Sequence, residues 1–71
     1  MTPVKAEISG SVWKIVVGVG DRIVKDDPVV ILESMKMEIP MLSPCDGVIA
    51  ELRVTEGESI EEGFVVAIIG R

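Results

Sequence analysis

The sequence predicts an all-β domain, and three observations carry that prediction. Short runs of β-branched and other apolar residues recur along the chain, each bounded by Gly, Pro, Asp or Ser. No stretch combines a helical apolar period with capping residues at its ends. The chain also repeats itself: shifted by 37 residues, its second half falls on its first. Strands alternating with turns at this spacing form a barrel or a sandwich.

The elements follow in order. Val4 to Ile8 alternates and reads as a first strand, turned by Ser9-Gly10. Ser11 to Val17 is the second, with Trp13, Ile15 and Val17 sharing the face expected to be core. Gly18 to Asp21 is a loop, Ile23-Val24 a short extended piece, and Lys25 to Pro28 a turn. Val29 to Leu32 is a buried strand that includes Ile31. Met37 to Leu42 follows it, with Pro40 placing that strand at an edge or a bulge. Ser43 to Gly47 turns, Val48 to Val54 is a strand, Glu56 to Glu58 a loop, and Ser59-Ile60 a short piece. Glu61 to Gly63 turns again, and Phe64 to Ile69 is the last strand.

In the repeat, Gly10 falls on Gly47, Val12 on Ile49, Lys14 on Glu51, Ile15 on Leu52 and Val17 on Val54. Gly20-Asp21-Arg22-Ile23 falls on Gly57-Glu58-Ser59-Ile60, Val29 on Val66, and Ile31 on Ile68. Trp13 meets Ala50, a large residue against a small one, as a core of imperfect symmetry would need. Asp26 meets Gly63; Asp tolerates a left-handed turn better than most residues, so the turn is expected to survive. Two like halves imply a pseudo-two-fold axis between them. The counterpart of Lys36 falls just beyond either end of the chain. Both ends should therefore lie together, at the pole opposite Lys36.

Seventy-one residues make one domain, 1–71. A chain this short buries only roughly 60% of its unfolded surface, so its stability margin is thin. The net charge of −5 argues against nucleic acid and anionic membranes, both of which select basic patches. The single cysteine, Cys45, excludes an intramolecular disulfide and fits a reducing compartment. Met1 to Lys5 lacks the apolar core of a signal peptide, and no apolar run reaches the roughly 18 residues of a membrane span. There is no histidine to serve as a general base and no cysteine cluster for a metal. Free-standing catalysis is not expected. Gly18-Val19-Gly20 is no phosphate loop, because Ile23 takes the third glycine position and no helix follows. Cys45 reads as an incidental thiol, with no histidine to activate it.

The distinctive stretch is Glu33-Ser34-Met35-Lys36-Met37-Glu38. It joins two β-prone runs, and Met35-Lys36 forms the gap of a hairpin. Met-Lys is not the Asn-Gly or Asp-Gly that a tight hairpin turn favours. A turn whose residues oppose its geometry is where function is expected to override local preference. Exposed methionines beside such a tip make an adaptable contact surface, whereas Met41 is expected in the core. Glu33 and Glu38 bracket the tip, as solvated strand ends or as contacts for a partner.

Met-Lys-Met preceded by Glu-Ser resembles the attachment motif of biotinyl domains, the carrier parts of biotin-dependent carboxylases. The resemblance covers Val4 to Ile69 and is especially close to the small stand-alone biotin/lipoyl attachment proteins. It implies a flattened barrel or sandwich of two small antiparallel sheets, with the modified lysine at a hairpin tip. It implies covalent biotin on Lys36, with Met35, Met37, Glu33 and Glu38 read by a biotin protein ligase. An exposed lysine amine is almost wholly protonated near neutral pH, so an activated acyl donor must be supplied by that ligase. The implied partners beyond the ligase are a biotin carboxylase and a carboxyltransferase, between which the domain carries a carboxyl group. The domain is expected to be non-catalytic, monomeric in isolation and cytoplasmic. The alternative is a lipoyl carrier, or an acceptor of both biotin and lipoate. Lipoyl domains usually place an acidic residue before the lysine and a small one after it, so Met35 and Met37 favour biotin.

Overall fold

The computed structural model describes residues 1–70. Eight strands follow one another: β1 (Thr2–Lys5), β2 (Gly10–Ile15), β3 (Arg22–Ile23), β4 (Pro28–Ser34), β5 (Met37–Leu42), β6 (Gly47–Leu52), β7 (Ser59–Ile60) and β8 (Val65–Gly70). Among the described residues there is no helix. The strands form two four-stranded antiparallel sheets, ordered β1-β8-β6-β3 and β5-β4-β2-β7. β5 is an edge strand. Pro40, which has no N–H to donate, is tolerated there.

The repeat is realised strand for strand. β2, β3 and β4 correspond to β6, β7 and β8, and β1 corresponds to β5. Irregularities repeat as well. The β2/β4 ladder slips between Val12 and Lys14, and the β6/β8 ladder slips between Ile49 and Glu51. Gly20 donates its N–H to the Ile49 carbonyl at 2.8 Å, and Gly57 donates to the Val12 carbonyl at 2.7 Å. Those glycines hold matching left-handed conformations, φ 94° and 90°, which a side chain would strain. Asp26 adopts φ 74° where Gly63 has 90°, so aspartate does survive in the glycine's place. Its N–H reaches the Ser43 carbonyl at 2.8 Å, as that of Gly63 reaches Ala6 at 2.8 Å.

The core lies between the sheets. Val12, Val29, Val30 and Leu32 from one half meet Ile49, Val66 and Ile69 from the other, all fully buried. Burying such a side chain contributes roughly 1.5–3 kcal/mol, which makes this layer the main source of stability. Met41 joins it from β5.

Trp13 does not belong to this core. Val12 pairs with Leu32 and Lys14 with Ile31, so Trp13 is the extra residue of a bulge. The bulge breaks the inward–outward alternation, and Trp13 is 45% exposed. Its ring lies 5.6 Å from the Lys14 ammonium. Ala50 is the extra residue of the equivalent bulge and is also exposed. The size mismatch of the pair is tolerated because neither residue is inside. Ile31 is likewise only partly buried. Its neighbours Val30 and Leu32 take the inward positions, which leaves Ile31 on the other face of β4.

Strand limits also differ from the sequence expectation. β1 ends at Lys5, opposite Val65 where β8 begins; beyond the ladder the Ala6 N–H still donates to the Phe64 carbonyl at 2.9 Å. β2 and β6 stop at Ile15 and Leu52, two residues short of Val17 and Val54, where the chain leaves for the glycine loops.

The two ends of the described residues lie side by side, since β1 pairs with β8 from Thr2 opposite Ile69. The long axis is 34 Å against 18 Å for the other two. Lys5 to Glu7, at the inner end of β1, line one shallow depression with Leu42, at the base of the β4–β5 hairpin. From that shared middle the two ladders run in opposite directions, one to Met1 and one to Lys36. Arg71 lies outside the described residues.

Candidate functional site

The β4–β5 hairpin is anchored at its base and bare at its tip. Val30, Leu32 and Met41 point into the core and hold the two strands. Toward the tip, Glu33 pairs with Glu38 and Ser34 with Met37. That leaves Met35 and Lys36 as the entire turn. Both are left-handed, φ 52° and 65°, the signature of a type I′ turn built without glycine or asparagine. Left-handed backbone costs roughly 1–2 kcal/mol for an ordinary residue. The two-residue connection matches the right-handed twist of the strands, so the ladder imposes the conformation that the residues themselves disfavour.

Exposure divides the methionines of this hairpin into two kinds. Met41 is 2% exposed, whereas Met35 is 93% and Met37 is 63% exposed. Two bare thioether side chains thus flank Lys36, with no packing role to explain them. Lys36 is itself exposed and, among the described residues, makes no hydrogen bond or ion pair. Glu33 and Glu38 are exposed and stand directly opposite each other. Like charges in that relation destabilise a ladder slightly, and neither has a cationic partner among the described residues.

None of the three best-formed depressions among the described residues includes a residue of the tip. One depression of about 430 Å³ is formed by Arg22 to Val24 and Asp46 to Val48, away from the tip. Among the described residues there is no group of three His, Cys, Asp or Glu side chains able to hold a metal. What the site offers is one primary amine, held at the end of a hairpin by a two-residue turn and bordered by soft apolar contacts.

Gly10 belongs to this site and is not singled out by its sequence, where it reads as part of a turn. It starts β2, and its Cα faces the Glu33–Ser34 shoulder of the hairpin. The available signal is its repetition as Gly47.

The family model described as "Biotin-requiring enzyme", for the biotin/lipoyl attachment domain, matches residues 2–69. The chain belongs to the biotin/lipoyl attachment family. Relatives within it include the biotinylated protein TB7.3 homolog of Mycobacterium leprae, 47% identical over 66 residues, covering 93% of this chain and 93% of that one. The biotin/lipoyl attachment protein of Bacillus subtilis is 43% identical over 63 residues, covering 89% of this chain and 86% of that one. The urea carboxylase of Kluyveromyces lactis contains the same architecture, with a TM-score of 0.91 and 32% identity over 96% of this chain and 6% of that one. The family thus includes both stand-alone proteins of this size and a segment of a large carboxylase.

Proposed function

We propose that residues 1–71 form a non-catalytic biotin carrier, with Lys36 as the attachment point. The observation that carries the reading is the turn itself: Met-Lys-Met, with the lysine at the apex and both methionines bare. The stand-alone relative named as a biotinylated protein and the likeness to a carboxylase segment support it.

The chemistry asked of the chain is small. A biotin protein ligase presents the acyl group as an adenylate. The Lys36 Nζ, after losing a proton to the ligase or solvent, attacks the acyl carbon. An amide forms and AMP leaves. The amine's charge is lost, so the domain goes from −5 to −6. Exposure helps here, since the ligase must surround the amine to desolvate it. Met35 and Met37 supply adaptable apolar contact for that enclosure, with Glu33 and Glu38 as the charged border. Bound biotin supplies the ring that holds and releases a carboxyl group. The chain then keeps the arm clear of its own surface and presents it to a biotin carboxylase and to a carboxyltransferase. Such a carrier raises local concentration only where its reach spans both sites. The reading takes the domain to be monomeric and cytoplasmic, which the single free thiol of Cys45 suits.

Lipoate is the second reading, raised by the name of the Bacillus subtilis relative. The intact mass of the protein from cells supplied with both biotin and lipoate separates the two. One biotinyl group on the peptide containing Lys36 is expected. A lipoyl group there, or an unmodified chain that streptavidin does not retain, would reject the biotin reading.

A further inference from the structure

We infer that Gly10 is a positioning residue for Lys36. The inference deepens the carrier reading above and rests on it. Gly10 does not need the conformational freedom of glycine, because its φ is not among the left-handed ones. It needs the space. A Cβ added there would stand 2.6 Å from the Glu33 carbonyl oxygen, 3.3 Å from its carbon and 3.4 Å from the Ser34 Cβ. The first of these is too close for carbon against oxygen, and the atom opposed is backbone, which no side-chain rotation relieves. Any side chain at position 10 must therefore push the β4 shoulder away from β2.

That shoulder leads directly into the turn. Glu33 stands in register between Ser11 on β2 and Glu38 on β5, and Ser34 is the last residue before Met35. Met35 and Lys36 hold a conformation they disfavour, so the frame beneath them decides where the turn points. Displacing residue 33 tilts the tip relative to the body. A ligase that grips the domain by more than the turn itself then receives the amine out of line with the acyl carbon. Misplacement on the scale of 1 Å is enough to cost two orders of magnitude in rate.

The pseudo-two-fold provides the control. A Cβ at Gly47 would collide with the Gly70 carbonyl oxygen and with Ile69 Cγ2, the same obstruction at the opposite pole. Gly10→Ala and Gly47→Ala therefore disturb equivalent strand pairs, one beneath the tip and one beneath the chain ends.

The experiment compares wild type, G10A and G47A as protein substrates of a biotin protein ligase with biotin and ATP. A denaturant midpoint is measured for each. Both variants should lose stability. For G10A, kcat/KM should fall at least roughly tenfold, chiefly in kcat, while for G47A it stays within about twofold. If wild type is modified and the two variants are modified alike, the inference is wrong and the carrier reading stands. If wild type is not modified, both fall together. A variant that does not fold in buffer is assayed in sucrose, which favours the compact state. Should G10A stay unfolded there, whatever G47A does, Gly10 is a packing residue and its positioning role is rejected.

Discussion

Met35 and Lys36 are neighbours in sequence and both left-handed, with φ of 52° and 65°. Neither residue favours that region. Each contributes a cost of roughly 1–2 kcal/mol, borne by the Ser34–Met37 closing pair and the ladder beneath it. The strain lies at the one place where the chain exposes two methionines and a lysine together. A domain with a thin stability margin therefore keeps its least favourable turn at its candidate site, the usual location of such strain.

Relieving the strain should stabilise the fold and harm the function. Met35→Asn and Lys36→Gly install the residues that a type I′ turn prefers. Each should raise stability by about 1 kcal/mol, read as a higher denaturant midpoint at unchanged slope. Lys36→Gly should abolish modification and Met35→Asn should slow it. A lower midpoint for both would show that the turn is not strained.

Lys36→Arg tests the attachment point alone. Arginine keeps the charge and adopts the same backbone at a similar cost, but it offers no acylable amine of useful reactivity. The variant should fold with an unchanged midpoint and gain no biotin in cells. Lys5, Lys14 and Lys25 remain as internal controls, since all three lie off the tip. Mass gain on any of them, or on the variant as a whole, would remove Lys36 from its role.

The exposed bulge makes a different forecast for Trp13. Trp→Ala in a core costs about 3–5 kcal/mol, which would unfold a domain of this size. Trp13 sits outside the core, with one cation–π contact to Lys14 worth about 0.5–1 kcal/mol at an exposed site. About half of its surface is nevertheless covered, so Trp13→Ala should lower stability by about 1–2 kcal/mol, measured by denaturant unfolding followed by circular dichroism. A loss above about 3 kcal/mol would return Trp13 to the core.

Trp13 also shows where sequence reasoning stops. Assigning it to the core assumes an unbroken alternation along β2, and a bulge leaves no mark in the pattern of residue types. The repeat holds a better clue. A packed site would not take tryptophan in one half and alanine in the other without a compensating change nearby. Ile31 fails for a related reason: in a continuous apolar run, alternation carries no information about which face is inside. The repeat itself is legible because equivalent turns need glycine at Gly20 and Gly57, whatever the flanking side chains. The tip is legible through its composition, since exposed methionines around a lysine serve no packing purpose. Gly10 is the opposite case. Its reason is a contact with β4, more than twenty residues away in sequence, and local reading assigns it to a turn.

The last test separates recognition from packing on a single hairpin. Leu32 is fully buried and Met37 is largely bare, yet they stand only five residues apart. Leu32→Ala should cost about 2–5 kcal/mol, enough to empty a total stability of about the same size. Met37→Thr places a good strand former on an exposed paired position and should change stability by about 0.5 kcal/mol or less. At position 35 threonine is the wrong probe, because a β-branched residue at φ 52° adds strain of its own; Met35→Leu is the suitable change. The two methionine variants should unfold like wild type but be modified more slowly by a biotin protein ligase. Leu32→Ala should be poorly folded, and the fraction that remains folded should be modified at the wild-type rate, since its tip is intact. The paired readouts are a denaturant midpoint and a ligase rate normalised to the folded fraction. If Met37→Thr and Met35→Leu keep the wild-type rate, the bare thioethers are not what the ligase reads. The specificity of the motif would then rest on the lysine and the direction in which the turn holds it.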